Sequence, residues 1–163
     1  MKLVGVRVEM PSNTPIVLLQ ETVSDGRMVP IFIGQAEATA IALALEGVDT
    51  PRPQTHDLLR DLLMVLGATV DKVVITDLRD KTFYAELYLT VNGKEEIVSC
   101  RPSDAMALAV RTDSDIFAES HVVDSAGFLP EPDDVDGDEE EVEEVLDEFR
   151  NFIDNINPED FGG

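Results

Sequence analysis

Alternating apolar and polar residues mark the first part of the chain as strand-forming. Over residues 4–10, three valines and a methionine alternate with glycine, arginine and glutamate, which predicts a strand with one buried face. Two further apolar segments, 16–21 and 28–33, flank an Asp-Gly pair at 25–26 that is typical of a hairpin turn. Pro30 has no amide hydrogen, so we expect the second of these strands at a sheet edge or a bulge.

Three helices are predicted between residues 35 and 111. An Ala- and Leu-rich segment at 35–46 is apolar on nearly all sides and is expected to be well buried. The second helix is expected to be capped by Thr55 and to bury a stripe of leucines. The third is expected to be capped by Ser103 and to end near Arg111. The expected buried stripe consists of Leu58, Leu59, Leu62, Leu63 and Leu66.

The rest of the first 130 residues again favours strands. A pair at Asn92-Gly93 is typical of a tight type I′ turn, and a short helical turn is expected at 121–126. The order β-β-β-α-α-β-β-β-α-β predicts a compact single α+β domain with a largely antiparallel or mixed sheet and helices packed on it. The predicted strands span 68–78, 82–91, 94–100 and 115–119.

Charge is distributed unevenly along the 163 residues. The chain has 34 acidic and 12 basic residues, which gives a net charge of −22. Residues 131–163 hold 15 of the acids and one base, so they carry −14 and residues 1–130 carry −8. Both values argue against a constitutive binder of nucleic acid or of anionic membranes, because such binding needs clustered Lys and Arg.

The acidic C-terminal segment is predicted to be organised separately from a domain at 1–130. Its first part, 131–138, contains Gly and Pro and is expected to be a linker. The tail at 139–163 has apolar residues at spacings of three and four, which predicts an amphipathic helix. Such a helix at 139–156 is expected to bind a partner protein, and the alternative is a solubilising extension. The expected contact residues are Val145, Leu146, Phe149, Phe152 and Ile153.

Cysteine content and hydropathy favour a cytoplasmic protein. The single Cys100 excludes an internal disulfide framework and is typical of a reducing compartment. No apolar run approaches the length of a membrane-spanning helix, and the alternating N-terminus does not resemble a signal peptide. We therefore expect no membrane association.

Two Arg-Pro junctions carry the candidate chemistry. At the first, His56 would lie in the opening turn of a helix, where the dipole favours the neutral imidazole that a general base needs. Arg52 lies on a loop stiffened by two prolines and is a candidate ligand for phosphate or carboxylate. The alternative is that Thr55 and Asp57 only cap the helix while His56 contacts a buried carbonyl.

The second junction, at 101–105, joins a predicted strand to a predicted helix. Arg101 and Ser103 lie at a helix N-terminus, which is favourable for anions, and Asp104 follows. The alternative is a simple N-cap with a surface Arg–Asp pair. If both helices begin on the same side of the sheet, the polar residues of the two junctions would converge.

Glu37 is a third candidate, because a carboxylate in a first helical turn is able to bind a cation or to pair with a basic residue. The alternative is a favourable interaction with the helix dipole. With only two histidines in the chain, a His-rich zinc site is excluded. Any metal would be held mainly by carboxylates, which favours Mg²⁺ or Mn²⁺.

Three motifs resemble the bifunctional nuclease domain family over residues 1–130. They are Gly-Gln-Ala-Glu-Ala at 34–38, Arg-Pro-Gln-Thr-His-Asp-Leu-Leu at 52–59, and Arg-Pro-Ser-Asp-Ala-Met-Ala-Leu-Ala at 101–109. The resemblance implies an α+β domain, commonly a homodimer, in a bacterial-type cytosolic protein. The family takes its name from plant members reported to cleave both RNA and DNA.

Two functions remain open at this point. The first is a metal-assisted nuclease or phosphodiesterase acting on RNA or DNA. His56, Asp57 and Asp104 would be catalytic, while Arg52, Arg101 and Ser103 would bind phosphate. Glu37 would join the two aspartates in holding Mg²⁺ or Mn²⁺. The alternative is a non-enzymatic binding or regulatory module for a small anion, or for a protein partner of the acidic tail.

Overall fold

Three of the strands form an antiparallel sheet at the start of the chain. The structure, a computed structural model, describes residues 1–23 and 26–130. Strands β1 (Lys2–Glu9), β2 (Thr14–Gln20) and β3 (Met28–Phe32) lie in the order β1-β2-β3. β3 is therefore an edge strand, as Pro30 predicts, because a proline cannot donate to a second neighbour.

The second sheet contains four strands in the order β6-β5-β4-β7. They are β4 (Ala68–Arg79), β5 (Thr82–Val91), β6 (Lys94–Cys100) and β7 (Asp115–Ala118). Neighbouring strands are antiparallel except β7, which is parallel to β4. Asn92 and Gly93 join β5 to β6 with φ angles of 52° and 76°, as the predicted tight turn requires.

Helix α3 is the central helix of the domain. It packs on β4 and β5 and contacts both α1 and α2. Its alanines at 105, 107 and 109 are buried, and such small side chains allow a helix to approach a sheet closely. The described helices are α1 (Gln35–Leu45), α2 (Thr55–Val65), α3 (Pro102–Thr112) and α4 (Ser120–Ala126).

One hydrophobic core joins the two sheets. Val17 and Leu19 of β2 belong to the same buried cluster as Val73 and Ile75 of β4, together with Met106 of α3. Residues 1–129 form one compact unit. The predicted α+β domain is confirmed, with the correction that its strands divide into an antiparallel sheet and a mixed sheet rather than one sheet.

Both predicted helix caps are displaced by one or two residues. Gln54, with extended backbone, is the N-cap of α2, and Thr55 is already helical. Arg101 is the N-cap of α3, because Pro102 has the fixed φ that suits a first helical position, so Ser103 lies inside the first turn. Ser103 is buried there.

The predicted burial of the α2 leucines is wrong for most of them. Leu63 packs against the core, but Leu58, Leu62 and Leu66 are about half exposed or more. The reason is that α3, and not α2, covers the middle of the four-stranded sheet. Helix α2 packs beside α3, and part of its apolar surface faces away from the domain.

Three predictions lie wholly or partly outside the described residues. They are the Asp-Gly turn at 25–26, of which residue 25 is not described, the linker at 131–138, and the tail at 139–163 with its five contact residues. Within the described ranges, no helix has the length and apolar character needed to span a bilayer.

Candidate functional site

The two Arg-Pro junctions meet where α2 and α3 begin. His56 lies in the first turn of α2, and its Nε2 is 3.2 Å from Oδ1 of Asp104 in the first turn of α3. The histidine is only 9% exposed. A neutral imidazole that donates its Nε2 hydrogen to Asp104 keeps the lone pair of Nδ1 as a base. The pair therefore has the composition of a base and its orienting carboxylate.

Arg101 joins this pair to a second carboxylate. Its Nε and Nη2 donate to the two oxygens of Asp104 at 2.7 and 2.9 Å, and its Nη1 lies 2.9 Å from Oε1 of Glu37. The bidentate contact fixes the plane of the Asp104 carboxylate, which in turn fixes where His56 binds. Glu37, Arg101, Asp104 and His56 thus form a continuous chain of contacts, which we call the four-residue network.

Electrostatics within the network favour an ionised Asp104. Burial by itself would raise the pKa of this carboxyl, but hydrogen bonds from Arg101 and His56 outweigh burial and lower it. The guanidinium of Arg101 has a raised pKa because it donates to Asp104 and lies near Glu37. Its side chain is 66% exposed, so the network opens to solvent on the arginine side.

Asp57 does not join the network. Its Oδ1 accepts a 2.6 Å hydrogen bond from Nε of Arg111, and its Oδ2 accepts the amide of Gln54 at 2.9 Å. Burial would raise the pKa of Asp57, but these two hydrogen bonds outweigh it and lower the pKa. Asp104 and Arg111 are seven residues, or about 10 Å, apart along α3. Adjacent residues of α2 therefore contact opposite ends of α3.

Arg111 is the residue that sequence reasoning missed. Its side chain is 6% exposed, and its Nη1 donates to the carbonyls of Ala40 in α1 and Ala107 in α3 at 2.9 and 2.8 Å. With Asp57 of α2 as its third partner, it ties three helices together. The sequence shows it only as a basic residue near the end of a helix, which is common where the dipole favours cations.

The remaining predicted phosphate ligands differ in accessibility. Arg52 is exposed, and its backbone carbonyl accepts a 2.7 Å hydrogen bond from Oγ1 of Thr50. The side chain of Arg52 makes no ion pair within the described ranges. Ser103 is only 6% exposed. Of the predicted anion ligands, the two arginines are therefore the most exposed.

The arrangement does not fit a divalent cation on Glu37, Asp57 and Asp104. The guanidinium of Arg101 already lies between Glu37 and Asp104, in the place that a cation would need, and Asp57 is bound to Arg111. Among residues 1–23 and 26–130, no group of three or more His, Cys, Asp or Glu side chains is placed to hold a metal.

Cys100, at the end of β6, is not part of the chemistry. Burial, with Asp104 and Glu86 nearby, raises the pKa of its thiol to about 11. Its Sγ lies 3.7 Å from the carbonyl oxygen of Ala85. A thiol that stays protonated at neutral pH is a poor nucleophile.

The free energy of unfolding is expected to decrease as the pH falls below about 4. The carboxyls of Asp57 and Asp104 have pKa values below 3.8 in the folded state, so they stabilise the fold above that pH. This stabilisation is lost as the pH falls through the folded pKa values. Urea unfolding at pH 7 and pH 3 measures the loss. The difference in unfolding free energy between pH 7 and pH 3 is expected to be smaller for Asp57→Asn than for the unaltered protein. An equal difference would contradict the lowered pKa assigned to Asp57.

Comparison with known proteins identifies the family. Residues 17–131 match the Bifunctional nuclease domain, and the chain belongs to this family. An uncharacterized protein of Mycobacterium tuberculosis is 45% identical over 161 residues, which is 98% of this chain and 96% of that protein. Its similarity thus extends beyond the domain into the acidic C-terminal segment.

Plant relatives match a smaller share of this chain. Bifunctional nuclease 2 of Arabidopsis thaliana is 30% identical over 125 residues, 73% of this chain and 38% of the plant protein. Bifunctional nuclease 1 of Oryza sativa subsp. indica is 31% identical over 99 residues, 59% of this chain and 30% of the plant protein. The plant proteins are therefore much longer than the matched region.

Proposed function

We propose that this protein hydrolyses phosphodiester bonds in RNA or DNA and that His56 is its proton-transfer residue. The observation that carries the proposal is the contact of His56 with Asp104, next to the exposed Arg101. A histidine oriented by a carboxylate is a common general base near neutral pH. The names of the plant relatives support this class of reaction.

In the proposed reaction, Nδ1 of His56 accepts a proton from water. The water oxygen forms a bond to phosphorus as the bond to the leaving oxygen breaks. The leaving oxygen takes a proton from solvent, and the imidazolium releases its proton to solvent, which restores neutral His56. Asp104 orients the imidazole and stabilises its cationic form. Asp57 has a positioning role, because its pair with Arg111 fixes the turn that carries His56.

Phosphate binding is assigned to Arg101 and Arg52. The contacts of Arg101 with Glu37 and Asp104 use three of the five N–H groups of a guanidinium, and its exposed edge faces solvent. Arg52 precedes α2 by three residues and is exposed. The net charge of −8 on residues 1–130 favours a short single strand or a small phosphodiester over a long duplex.

The test is cleavage of short labelled single-stranded RNA and DNA by the full chain. His56→Asn is expected to lower the rate by about 100- to 10,000-fold, because it removes the base. The matched control is His121→Asn, which alters the other histidine, a surface residue 3.4 Å from Asp77. That variant is expected to cleave like the unaltered protein.

The same assay is run with EDTA and with added Mg²⁺ or Mn²⁺. The proposal expects cleavage in EDTA, since the carboxylates of the network bind Arg101. Cleavage that persists in His56→Asn would identify a contaminating nuclease and contradict the proposal. Nucleotide binding without cleavage by the unaltered protein would instead favour a non-enzymatic binding module.

A further inference from the structure

A cavity lies between the end of α1, the loop that follows it, the start of α2 and the end of α3. Its volume is about 290 Å³, close to the lower end of the range for small-molecule sites. We propose that this cavity, called here the helix-end cavity, binds the guanine base of a nucleotide whose phosphate is bound by Arg52. That arginine is assigned to phosphate binding in the proposed function, on which this inference rests.

The helix-end cavity offers one open hydrogen-bond donor, on Arg111. This residue lines the cavity, and its side chain is only 6% exposed. Its Nε donates to Asp57 and its Nη1 to two backbone carbonyls, whereas its Nη2 makes no hydrogen bond within the described residues. No described side chain has a fully buried N or O atom without a partner, so Nη2 remains accessible along the cavity wall. An acceptor on a bound ligand would give Nη2 a partner.

An open acceptor lines the same cavity. Asp49 lies on the loop after α1 and is exposed. Its carboxylate makes no hydrogen bond and no ion pair with any residue of the described ranges. A ligand that donates to Asp49 and accepts from Arg111 would therefore use both open groups.

Charge around the cavity favours an uncharged ring over a free phosphate or a metal ion. Two arginines, Arg60 and Arg111, and two aspartates, Asp49 and Asp57, line it, so their formal charges cancel. Arg111 is paired with Asp57, and Arg60 lies 2.8 Å from Asp61. Most of the other lining residues are apolar and suit the faces of a planar ring. These apolar residues are Leu43, Ala44, Val48, Pro53 and Val110.

Guanine matches the two open groups better than the other bases do. Its O6 and N7 accept hydrogen bonds, and a guanidinium is their commonest partner. Its N1–H and its 2-amino group donate side by side, so together they are able to bind both oxygens of a carboxylate. Adenine, cytosine and uracil lack this pair of adjacent donors.

Arg52 lies where the phosphate of the same nucleotide is expected. The next residue, Pro53, lines the cavity, while Arg52 itself is exposed. Neighbouring Cα atoms are about 3.8 Å apart, which is within the span of one nucleotide. A guanine in the cavity would therefore bring its phosphate to the start of α2, where His56 also lies.

The first test is the binding of nucleosides to the full chain by isothermal titration calorimetry. Guanosine is expected to bind about 10-fold or more tightly than adenosine, cytidine or uridine. Asp49→Asn is expected to weaken guanosine binding about 10-fold or more, because an amide cannot accept both donors. The matched control is Glu46→Gln, which removes an exposed carboxylate at the end of α1 that does not line the cavity. That variant should bind guanosine like the unaltered protein.

Inosine separates recognition of the base from a general change of shape. It lacks the 2-amino group, so the unaltered protein is expected to bind it about 10-fold more weakly than guanosine. Asp49→Asn is expected to bind the two nucleosides about equally. An unchanged ratio of the two affinities in Asp49→Asn would overturn the assignment of Asp49.

Guanosine 5′-monophosphate tests the link to Arg52. It is expected to bind about 5-fold more tightly than guanosine, and Arg52→Met is expected to remove this gain without weakening guanosine. No guanosine binding, equal affinity for the four nucleosides, or no gain from the phosphate would each overturn the inference.

Failure of this inference is distinguishable from failure of the proposed function. Binding is measured in the His56→Asn variant as well, so it does not depend on cleavage. A protein that binds guanosine as expected but cleaves no RNA or DNA would contradict the proposed function and support the base site. Cleavage without base preference and without guanosine binding would overturn the base site alone.

Discussion

Replacing Arg111 with methionine is expected to destabilise the domain by about 3 kcal/mol, because the change leaves the Asp57 carboxylate without its partner in a largely buried position. The substitution also frees the carbonyl of Ala40, to which Arg111 donates. The free energy of unfolding, from urea titration at pH 7, measures the loss.

Two variants separate this effect from a general loss of charge. Asp57→Leu combined with Arg111→Met is expected to recover much of the stability, since no unpaired charge then remains at the helix contact. Arg60→Met removes an arginine that is 36% exposed and whose partner Asp61 is 43% exposed, and its cost is expected to be about 1 kcal/mol or less. Equal losses for Arg60→Met and Arg111→Met would contradict the role assigned to burial.

The local elements could be predicted because their signals are local. Alternation over β5, the Asn92-Gly93 turn and the proline in β3 each depend on a few neighbouring residues. The mixed order of the second sheet could not be predicted in the same way. It depends on the parallel pairing of β4 with β7, whose residues Val73 and Ile116 lie far apart in sequence.

The candidate site was predicted in composition but not in arrangement. His56 and Asp57 are neighbours in the sequence, yet successive residues of a helix point about 100° apart. His56 therefore contacts Asp104, while Asp57 contacts Arg111. Sequence adjacency suggested one shared site, and only the crossing of α2 over α3 shows two separate contacts.

The burial of α2 shows a limit of periodicity. A stripe of leucines predicts that a helix packs against something, but it does not say what covers the stripe. Leu63 packs on the core of its own domain, whereas Leu62 next to it is exposed. An apolar stripe therefore predicts an amphipathic helix without showing which of its residues the domain covers.

Asp104→Asn is expected to lower the rate of cleavage by about 100- to 10,000-fold with little change in KM, because the uncharged amide no longer holds the imidazole or stabilises its cation. Steady-state kinetics on a short labelled RNA measure kcat and KM separately. Loss of the carboxylate also changes which ring nitrogen of His56 carries hydrogen, and ¹⁵N chemical shifts of the imidazole report that change without any substrate.

Arg101→Met is expected to raise KM and to lower kcat less than Asp104→Asn does, because Arg101 is assigned to phosphate binding. The matched control for the carboxylate is Asp77→Asn, which alters the partner of the surface histidine His121 and leaves the four-residue network intact. If Asp77→Asn and Asp104→Asn lowered kcat equally, the effect would come from general destabilisation. If the ¹⁵N shifts of His56 stayed unchanged in Asp104→Asn, Asp104 would not be its orienting partner.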